Sequence, residues 1–379
     1  MKGRTIRQRG PHSFVVPVSL GFDPLTKKRR RVWLSGGTRA EVRAAYVDLM
    51  AQLQRGQYRP LAKEPFGSYL EQWVALGEAR WAPSTTYGNR NVVRRVAAAP
   101  IGTIPLRDLS VEHLEAFYAA KIKDGLSPNA IRNYHKVIRA ALNRARKLRK
   151  IGDNPATLVE LPKIAPFEPV TFDPEQLRLF LGEAKRTSPF YPLYLMASTT
   201  GLRLSELLGA RWSDLGKDGI YQVRQAFVRV PKVSIERAFK GPKSAKGRRP
   251  VVVDDTVMAV LQDLHAAQQR RKAILGNAYH DRDLIFCQAN GKPHHASNII
   301  RRDLKPLLKR AGLPETFRFY DQRGSHLSHL DRVGAPVSVT QQRAGHSSPS
   351  TTFGVYVRSK ADQQRDVARA VAEDLGLRS

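Results

Sequence analysis

Helical periodicity between residues 62 and 162 constrains the fold of this chain more than any other feature. Four consecutive segments carry aliphatic or aromatic residues at the three- and four-residue spacing of a buried helix face. These segments are FGSYLEQWVAL, STTYGNRNVVRRVA, SVEHLEAFYAAKIKDG and SPNAIRNYHKVIRAALNRARKLRK. Ser84, Ser110 and Ser127 occupy expected N-cap positions, where a side-chain oxygen can accept from a free backbone N–H. The sequence therefore predicts a helical domain over residues 62–162.

A strand pattern precedes this domain. FVVPVSL (14–20) and RRVWLSG (30–36) are β-type runs separated by a turn. Thr38 and Glu41 then have the spacing of a capping box, and apolar residues at helical spacing follow. Residues 1–60 are therefore predicted to form a small ββ(β)α module.

A third domain is predicted after a linker. Residues 151–170 contain four prolines and no helical periodicity, which is typical of a connecting segment. Asp173-Pro174-Glu175-Gln176 is a strong helix start and opens a mostly helical domain over 171–379. YQVRQAFVRV and RRPVVV are its predicted strands, joined by the lysine-rich turn KGPKSAKG. The whole chain is thus predicted to be mainly α with small β-sheets (α+β).

The charge of the chain indicates a polyanionic partner. It carries 64 Lys+Arg against 33 Asp+Glu, a formal net charge of +31. Neutralising phosphates with such residues releases counterions and drives nucleic-acid binding. A basic protein that merely resists aggregation or binds ribosomal RNA is the alternative. Two groups of basic residues are predicted to contact DNA, one in the N-terminal module and one on the last helix of the second domain: Lys27, Lys28, Arg29, Arg30, Arg31, and Arg132, Lys136, Arg139.

The two groups have alternative explanations. In the N-terminal module, the basic residues could lie on a sheet face that enters a DNA groove. Alternatively, they could belong to a charged hairpin that contacts only phosphates. On the helix, a solvated basic face competes with a phosphate-facing one, and the absence of acidic residues between 125 and 152 favours phosphate contact.

Several functional classes are disfavoured by what the sequence lacks. No apolar run approaches the roughly 18 residues of a spanning helix, and the basic N-terminus is not followed by an apolar signal segment. The single Cys287 leaves no internal disulfide and no cysteine-cluster metal site. No P-loop is present, so nucleotide hydrolysis is not expected. We expect no cofactor and no metal.

Arginines offer a metal-free way to cleave a phosphodiester. The reaction needs a nucleophile, stabilisation of charge on the phosphate oxygens and a proton for the leaving oxygen. A divalent metal on paired carboxylates commonly supplies the stabilisation, but no such motif is recognisable here. Arg203 and Arg323 could grip phosphate oxygens with their guanidinium forks. Arg203 lies among leucines at a helix start, with Glu206 one turn on as its expected partner, although a solvent-facing arginine is the alternative.

Four motifs together resemble the tyrosine recombinase (phage-type integrase) family. TTGLRLSELLGARWSDL, PKSAKGRRPVVV, YDQRGSHLSHLDRVG and AGHSSPSTTFGVY occur in the order and spacing of that family. The resemblance covers all three predicted domains. It implies an arm-type DNA-binding module over 1–60, a helical core-binding (SAM-like) domain over 62–162 and a catalytic domain over 171–379.

The resemblance also implies an activity and partners. The expected enzyme is a metal- and ATP-independent site-specific integrase of a phage or mobile element, acting through a 3′-phosphotyrosyl intermediate. It would bind double-stranded DNA at core and arm sites as a homotetramer, together with an excision directionality factor or a host DNA-bending protein. No membrane partner is expected, and the location would be the bacterial cytoplasm, at the nucleoid. A catalytically impaired, recombinase-derived DNA-binding protein is the alternative.

The family's roles carry over to individual residues. Tyr356 falls at the nucleophile, Arg203 and Arg323 at the two phosphate-binding arginines, and His346 at a histidine that donates to the same phosphate. Lys243 matches the lysine that protonates the leaving oxygen, and Lys246 in the same loop is a rival. Glu206 matches the acidic residue that supports the first arginine.

One position departs from the family pattern. The usual His-x-x-Arg reads Tyr320-Asp321-Gln322-Arg323 here. A tyrosine can donate a hydrogen bond, but an ordinary pKa near 10 makes it a poor base at neutral pH. His326 and His329 are nearby, yet helical spacing predicts that they point away from Arg323 or into the core. Tyr320 as the nucleophile is an alternative to Tyr356.

Overall fold

A computed structural model describes residues 6–22, 29–54, 62–164, 170–241, 247–345, 369 and 371–373. The chain divides into two compact units, one of Met1–Ala79 with Asn89–Ile164 and one of Arg80–Gly88 with Ala165–Ser379. Within the described ranges, no helix is both long and apolar enough to cross a membrane. Six residues with predicted roles lie outside these ranges: Lys27, Lys28, Lys243, Lys246, His346 and Tyr356.

A three-stranded antiparallel sheet and one helix form the start of the first unit. The strands are β1 (Arg7–Gly10), β2 (Ser13–Phe22) and β3 (Arg29–Gly36), in that order, and α1 (Arg39–Gln54) follows. Val16 and Val18 on β2 pack against Val42 and Leu49 on α1, and all four are buried. Half of the predicted capping box is present, because Thr38 Oγ1 accepts from the Glu41 N–H at 3.2 Å. The Glu41 carboxylate accepts from the N–H of Gly37 at 2.8 Å and not from that of Thr38. The ββ(β)α prediction is confirmed.

Four helices follow, all within the first unit except the start of the second helix, whose residues 83–88 belong to the second unit. They are α2 (Phe66–Gly77), α3 (Pro83–Ala97), α4 (Val111–Lys123) and α5 (Pro128–Lys147). Ser110 and Ser127 are N-caps that accept from backbone N–H groups, as predicted. The prediction for Ser84 was wrong, because α3 already begins at Pro83 and Ser84 lies inside its first turn.

The predicted linker at 151–170 begins later than expected. Ile151, Asn154 and Ala156 are buried. The Asn154 side-chain amide donates to the carbonyl of Arg139 at 3.2 Å and to Asn143 Oδ1 at 2.9 Å. The start of the segment that lacks helical periodicity is therefore packed against α5 and is not a free linker.

The second unit is mostly helical. The Asp173 capping box opens it, as predicted. Its helices are α6 (Pro174–Thr187), α7 (Tyr191–Thr200), α8 (Leu204–Leu208), α9 (Ile235–Ala238), α10 (Asp255–Leu275), α11 (Ala296–Ile299), α12 (Lys305–Arg310), α13 (Asp321–Arg332) and α14 (Val337–Ala344), with a π-helical turn (Ile300–Leu304) between α11 and α12.

The strands of the second unit pair differently from the prediction of a single hairpin. β4 (Ile220–Val223) pairs antiparallel with β7 (Arg249–Val252), while β5 (Ala226–Phe227) pairs with β6 (Phe239–Lys240). The chain turns back between β5 and β6 through Pro231 and the short α9, so the first predicted strand, YQVRQAFVRV, is interrupted after Val223 and ends at Phe227. The outcome is two short ladders that place β7 beside α14.

A single apolar cluster holds these elements together. Phe172 stacks on Phe317 with ring centroids 3.7 Å apart, and Phe180 packs against both. Helix α7 contacts α6, α10 and α13. Helix α7 is therefore packed on several sides, and the candidate site begins at its C-terminal end.

Candidate active site

Gly201 ends α7 and sets the position of Arg203. The backbone of Gly201 has φ +66°, in the left-handed region that favours glycine, as expected for a helix C-terminus. A Cβ at this position would lie 2.6 Å from Cδ2 of His326, so the ring of that histidine also requires glycine. Two residues later, Arg203 is the N-cap of α8, with 33% of its side chain exposed. The predicted helix break at Thr-Gly is confirmed.

Glu206 is a buried carboxylate held between two arginines. Arg203 donates to it twice, from Nη1 to Oε1 at 2.8 Å and from the backbone N–H to Oε2 at 2.9 Å. Arg249 donates from Nη1 to Oε1 at 3.2 Å and from Nη2 to Oε2 at 3.0 Å. Burial alone would raise the pKa of Glu206, but the hydrogen bonds and charge of Arg249, together with those of Arg203, outweigh it and lower the pKa to about 2. The expected Arg203–Glu206 pair is confirmed.

Arg323 is buried and held by backbone carbonyls. Its Nη1 donates to the carbonyl of Gly201 at 2.7 Å, and its Nη2 donates to the carbonyl of Ala344. Its Nε has no hydrogen-bond partner within the described residues. Burial, and next the charge of Arg203, lower the pKa of Arg323 to about 10, so the group stays charged at neutral pH. The bond to Gly201 brings Arg323 next to the segment that carries Arg203.

Tyr320 stands at the mouth of this site. It directly precedes α13, one turn before Arg323, and it is 47% exposed. An exposed phenol beside a buried arginine can donate a hydrogen bond to an incoming anion.

His326 points into the core, as helical spacing predicted. Its Nδ1 donates to the carbonyl of Ser198 at 3.1 Å, which leaves Nε2 to accept from Arg343 Nε at 3.4 Å. Arg343 also donates to the carbonyl of Thr199 at 2.9 Å. Burial, and next the charge of Arg343, lower the pKa of His326 to about 3. His326 is therefore neutral in the folded protein and ties α13 and α14 to the end of α7.

The low pKa of His326 predicts an acid-sensitive fold. An unfolded histidine gains a proton as the pH falls below about 6.5, whereas the folded one stays neutral until about pH 3. The free energy of unfolding should therefore fall by about 2 kcal/mol from this group alone between pH 7 and pH 5. His326→Gln keeps a hydrogen-bond donor and an acceptor but does not titrate. In chemical denaturation, the free energy of unfolding of this variant should therefore fall less between pH 7 and pH 5 than that of the wild type. The exposed His280→Gln is the control, and an equal change in both variants would contradict the prediction.

Two arginines of the site were not predicted. Arg249 carries a signal that could have revealed it, because the alternation of β7 places it on the same inward side as Val251 and Val253. A charged residue at a core position of a strand requires a buried partner. Arg343 has no comparable signal.

The predicted DNA-contacting residues that the structure describes lie on two surfaces. Arg29 and Arg31 are exposed on β3, as is Trp33, over whose ring Arg9 lies at 5.4 Å. Arg30 lies in the same strand. On α5, three basic residues form one exposed face: Arg132, Lys136 and Arg139. Within the described part of the chain, no cluster of three or more His, Cys, Asp or Glu residues could hold a metal ion.

Comparison of the sequence with known families and proteins gives consistent matches. The model of the phage integrase family matches residues 171–363. An integrase of Streptomyces ambofaciens is 26% identical over an alignment of 355 residues that covers 90% of this chain and 88% of that protein. The ICEBs1 integrase of Bacillus subtilis (strain 168) is 22% identical over 356 residues, which are 94% of this chain and 95% of that protein.

Comparison of the structure identifies the fold. The Tn1549 transposon integrase in complex with a circular intermediate DNA has a TM-score of 0.67 at 19% identity, covering 82% of this chain and 100% of its own. A lambda integrase dimer bound to a COC′ core site has a TM-score of 0.56 at 15% identity, covering 94% of this chain and 95% of its own. The mainly helical α+β fold with small sheets is therefore the fold of these integrases.

Proposed function

The chain belongs to the phage integrase family, and we propose that Tyr356 is the nucleophile with which it cleaves and rejoins DNA. Its activity is that of a tyrosine-type site-specific DNA recombinase, which integrates a phage or mobile element through a 3′-phosphotyrosyl intermediate. The DNA it acts on is its main partner.

The convergence of Arg203 and Arg323 supports the phosphate clamp. Arg323 bonds to the carbonyl of Gly201, two residues before Arg203, and Glu206 holds Arg203 in place. Both guanidinium groups are fixed by the fold before DNA arrives. Fixed donors stabilise charge that develops in a transition state without any cost of reorganisation. This pair of held arginines is the observation that carries the proposed site.

The proposed reaction exchanges one phosphate ester bond for another. The Tyr356 oxygen attacks the scissile phosphorus, the bond from phosphorus to the 5′-oxygen breaks, and the tyrosine is left joined to the 3′-phosphate. Arg203, Arg323 and His346 would bind the non-bridging oxygens. Lys243, or its rival Lys246, would give a proton to the leaving 5′-oxygen. The bond energy is retained in the phosphotyrosine, so rejoining to another strand needs no ATP.

Tyr320 is better suited to donate a hydrogen bond to the phosphate than to act as a base. Its exposed position beside Arg323 lets the hydroxyl reach an anion bound there. A phenol hydroxyl can donate a hydrogen bond to a phosphate oxygen. We therefore assign it a hydrogen bond to a phosphate oxygen.

Three domains would share the binding of DNA. We assign arm sites to residues 1–60, core sites to residues 62–162 and catalysis to residues 171–379. The basic faces of β3 and α5 support the first two assignments. Strand exchange between two duplexes needs four active sites, so a homotetramer on DNA is proposed, with an excision directionality factor or host DNA-bending protein as accessory and the bacterial nucleoid as location.

Trapping the covalent complex tests the proposed function. A suicide DNA substrate, whose cleaved end diffuses away, should leave protein joined to DNA through Tyr356, as identified by peptide mapping. A linkage through Tyr320 would overturn the assignment of the nucleophile. If no covalent complex formed on junction DNA that the protein binds, cleavage itself would be contradicted.

Binding to arm DNA should depend on Arg29 and Arg31. Removing one phosphate contact lowers the slope of log affinity against log salt by about 0.9, so Arg29→Gln/Arg31→Gln should lower it by about 2. Arg39→Gln/Arg43→Gln on α1 removes the same charge from the helix and is the control. Equal slope changes in both variants, measured by fluorescence anisotropy across a salt series, would argue against a specific role for the β3 face.

A further inference from the structure

Arg249 is a buried cation at the start of β7. Only 3% of its side chain is exposed. It follows the predicted Lys243 loop and lies on the inward side of the strand with Val251 and Val253. A buried guanidinium is costly unless its donors are satisfied, so the bonds that it makes indicate why it is there.

All three nitrogens of Arg249 donate hydrogen bonds. Nη1 and Nη2 bond to the two oxygens of Glu206, and Nη1 also bonds to the carbonyl of Gly247 at 3.3 Å. Nε donates to the carbonyl of Arg343 at 2.9 Å. One planar group thus connects the partner of Arg203, the backbone of Gly247 and the end of α14.

The bond to Arg343 matters because α14 ends there. The last carbonyls of a helix have no partner within it and must be satisfied from outside. Arg249 satisfies the carbonyl of Arg343, and Arg323 satisfies that of Ala344. Gly345 follows with φ +57°, and a Cβ there would lie 2.9 Å from Arg249 Nη1. Gly345, the residue that follows α14, therefore lies against the guanidinium group of Arg249.

We propose that Arg249 is a positioning residue for DNA cleavage, which holds Glu206 against Arg203 and fixes the end of α14 from which the segment with His346 and Tyr356 continues. The inference rests on the proposed function. Arg249 acts through Glu206 and through the backbone of α14, and it touches no reacting atom. It couples the phosphate clamp to the segment that carries the nucleophile.

Arg249→Met removes the charge and the fork while keeping most of the side-chain volume. At saturating suicide DNA, the first-order rate of covalent-adduct formation should fall on the order of 100-fold, the usual effect of misplacing reacting groups by about 1 Å. The DNA dissociation constant should change by less than about threefold, since no DNA contact is removed. Arg224→Met is the matched control, because Arg224 also pairs with a buried carboxylate, Asp214, but lies outside the site.

The pH profile separates positioning from a general loss of structure. Glu206 faces Arg203, Arg249, Arg323 and the buried Tyr221. Without Arg249, burial should raise the pKa of Glu206, so its carboxylate would become protonated as the pH falls. The adduct rate of Arg249→Met should then drop at acidic pH where that of the wild type does not. Arg249→Lys keeps a charge beside Glu206 but cannot also reach Arg343, so it should lack this acid limb and still cleave about 10-fold more slowly.

The outcomes separate the inference from the proposed function. If the wild type forms the adduct and Arg249→Met or Arg249→Lys cleaves at the wild-type rate, the proposed role of Arg249 is overturned. The proposed function is then unaffected. The role is also overturned if Arg249→Met is slow only because its DNA affinity is lost, or if Arg224→Met is slowed equally. A wild type that forms no adduct on DNA that it binds overturns both. Arg249→Lys, with thermal unfolding monitored alongside, supplies the rate measurement if Arg249→Met does not fold.

Discussion

Tyr356→Phe should form no covalent adduct with DNA. The change removes only the oxygen that would join the phosphate, and phenylalanine fills nearly the same volume, so folding and non-covalent DNA binding should persist. Covalent catalysis by a single nucleophile leaves no alternative route to the protein–DNA bond. Incubation with a suicide substrate, followed by denaturing electrophoresis, measures the adduct, and a mobility shift under native conditions checks binding.

Tyr320→Phe is the matched control for this variant. It removes the same atom from the exposed tyrosine beside Arg323. The adduct should still form, more slowly, because one hydrogen bond to the phosphate is removed. The reverse pattern, with an adduct from Tyr356→Phe and none from Tyr320→Phe, would make Tyr320 the nucleophile.

Arg323→Lys should lower the rate of cleavage by 10²–10³-fold or more, on the order of losing a fixed donor at a developing charge. A lysine keeps the charge, but its ammonium is a point donor and cannot bond to Gly201, Ala344 and a phosphate in the same plane. It would also leave a buried carbonyl without a partner, so the free energy of unfolding should fall by about 1–3 kcal/mol. Single-turnover cleavage at saturating DNA and chemical denaturation measure the two effects.

Arg203→Lys provides the comparison for the stability effect. Arg203 is one-third exposed, and its backbone N–H, which does not change, makes one of its two bonds to Glu206. The cleavage rate should fall as strongly as in Arg323→Lys, with a smaller loss of stability. A wild-type cleavage rate in either variant would remove that arginine from the proposed clamp.

Local patterns predicted the helix ends and the nearest pair of the site. The Asp173 capping box, the helix end at Gly201 and the Arg203–Glu206 contact all involve residues within four positions of each other, where spacing fixes geometry. The strand pairing was predicted only in part, because the return through Pro231 and α9 depends on packing that alternation does not encode.

Long-range contacts were not visible in the sequence. Arg249 lies 43 residues from Glu206, and Arg343 lies 144 residues from Thr199. Arg323 binds backbone carbonyls, which every residue possesses, so no residue type marks its partners. The linker error has the same origin, because the Asn154 amide is satisfied by α5, and only the fold brings the two together.

The partnering of Glu206 leaves the site with unbalanced charge. One carboxylate stands among three guanidinium groups, those of Arg203, Arg249 and Arg323, so two positive charges lack a counterion within this group of four. Repulsion among these cations opposes the folded state, and it adds to burial, the larger cause, in lowering the pKa of Arg323. In the proposed phosphate clamp, a DNA phosphate would supply the missing negative charge. On this proposal, binding DNA would relieve a repulsion that is present in the folded protein alone, and the bound DNA would stabilise the folded state.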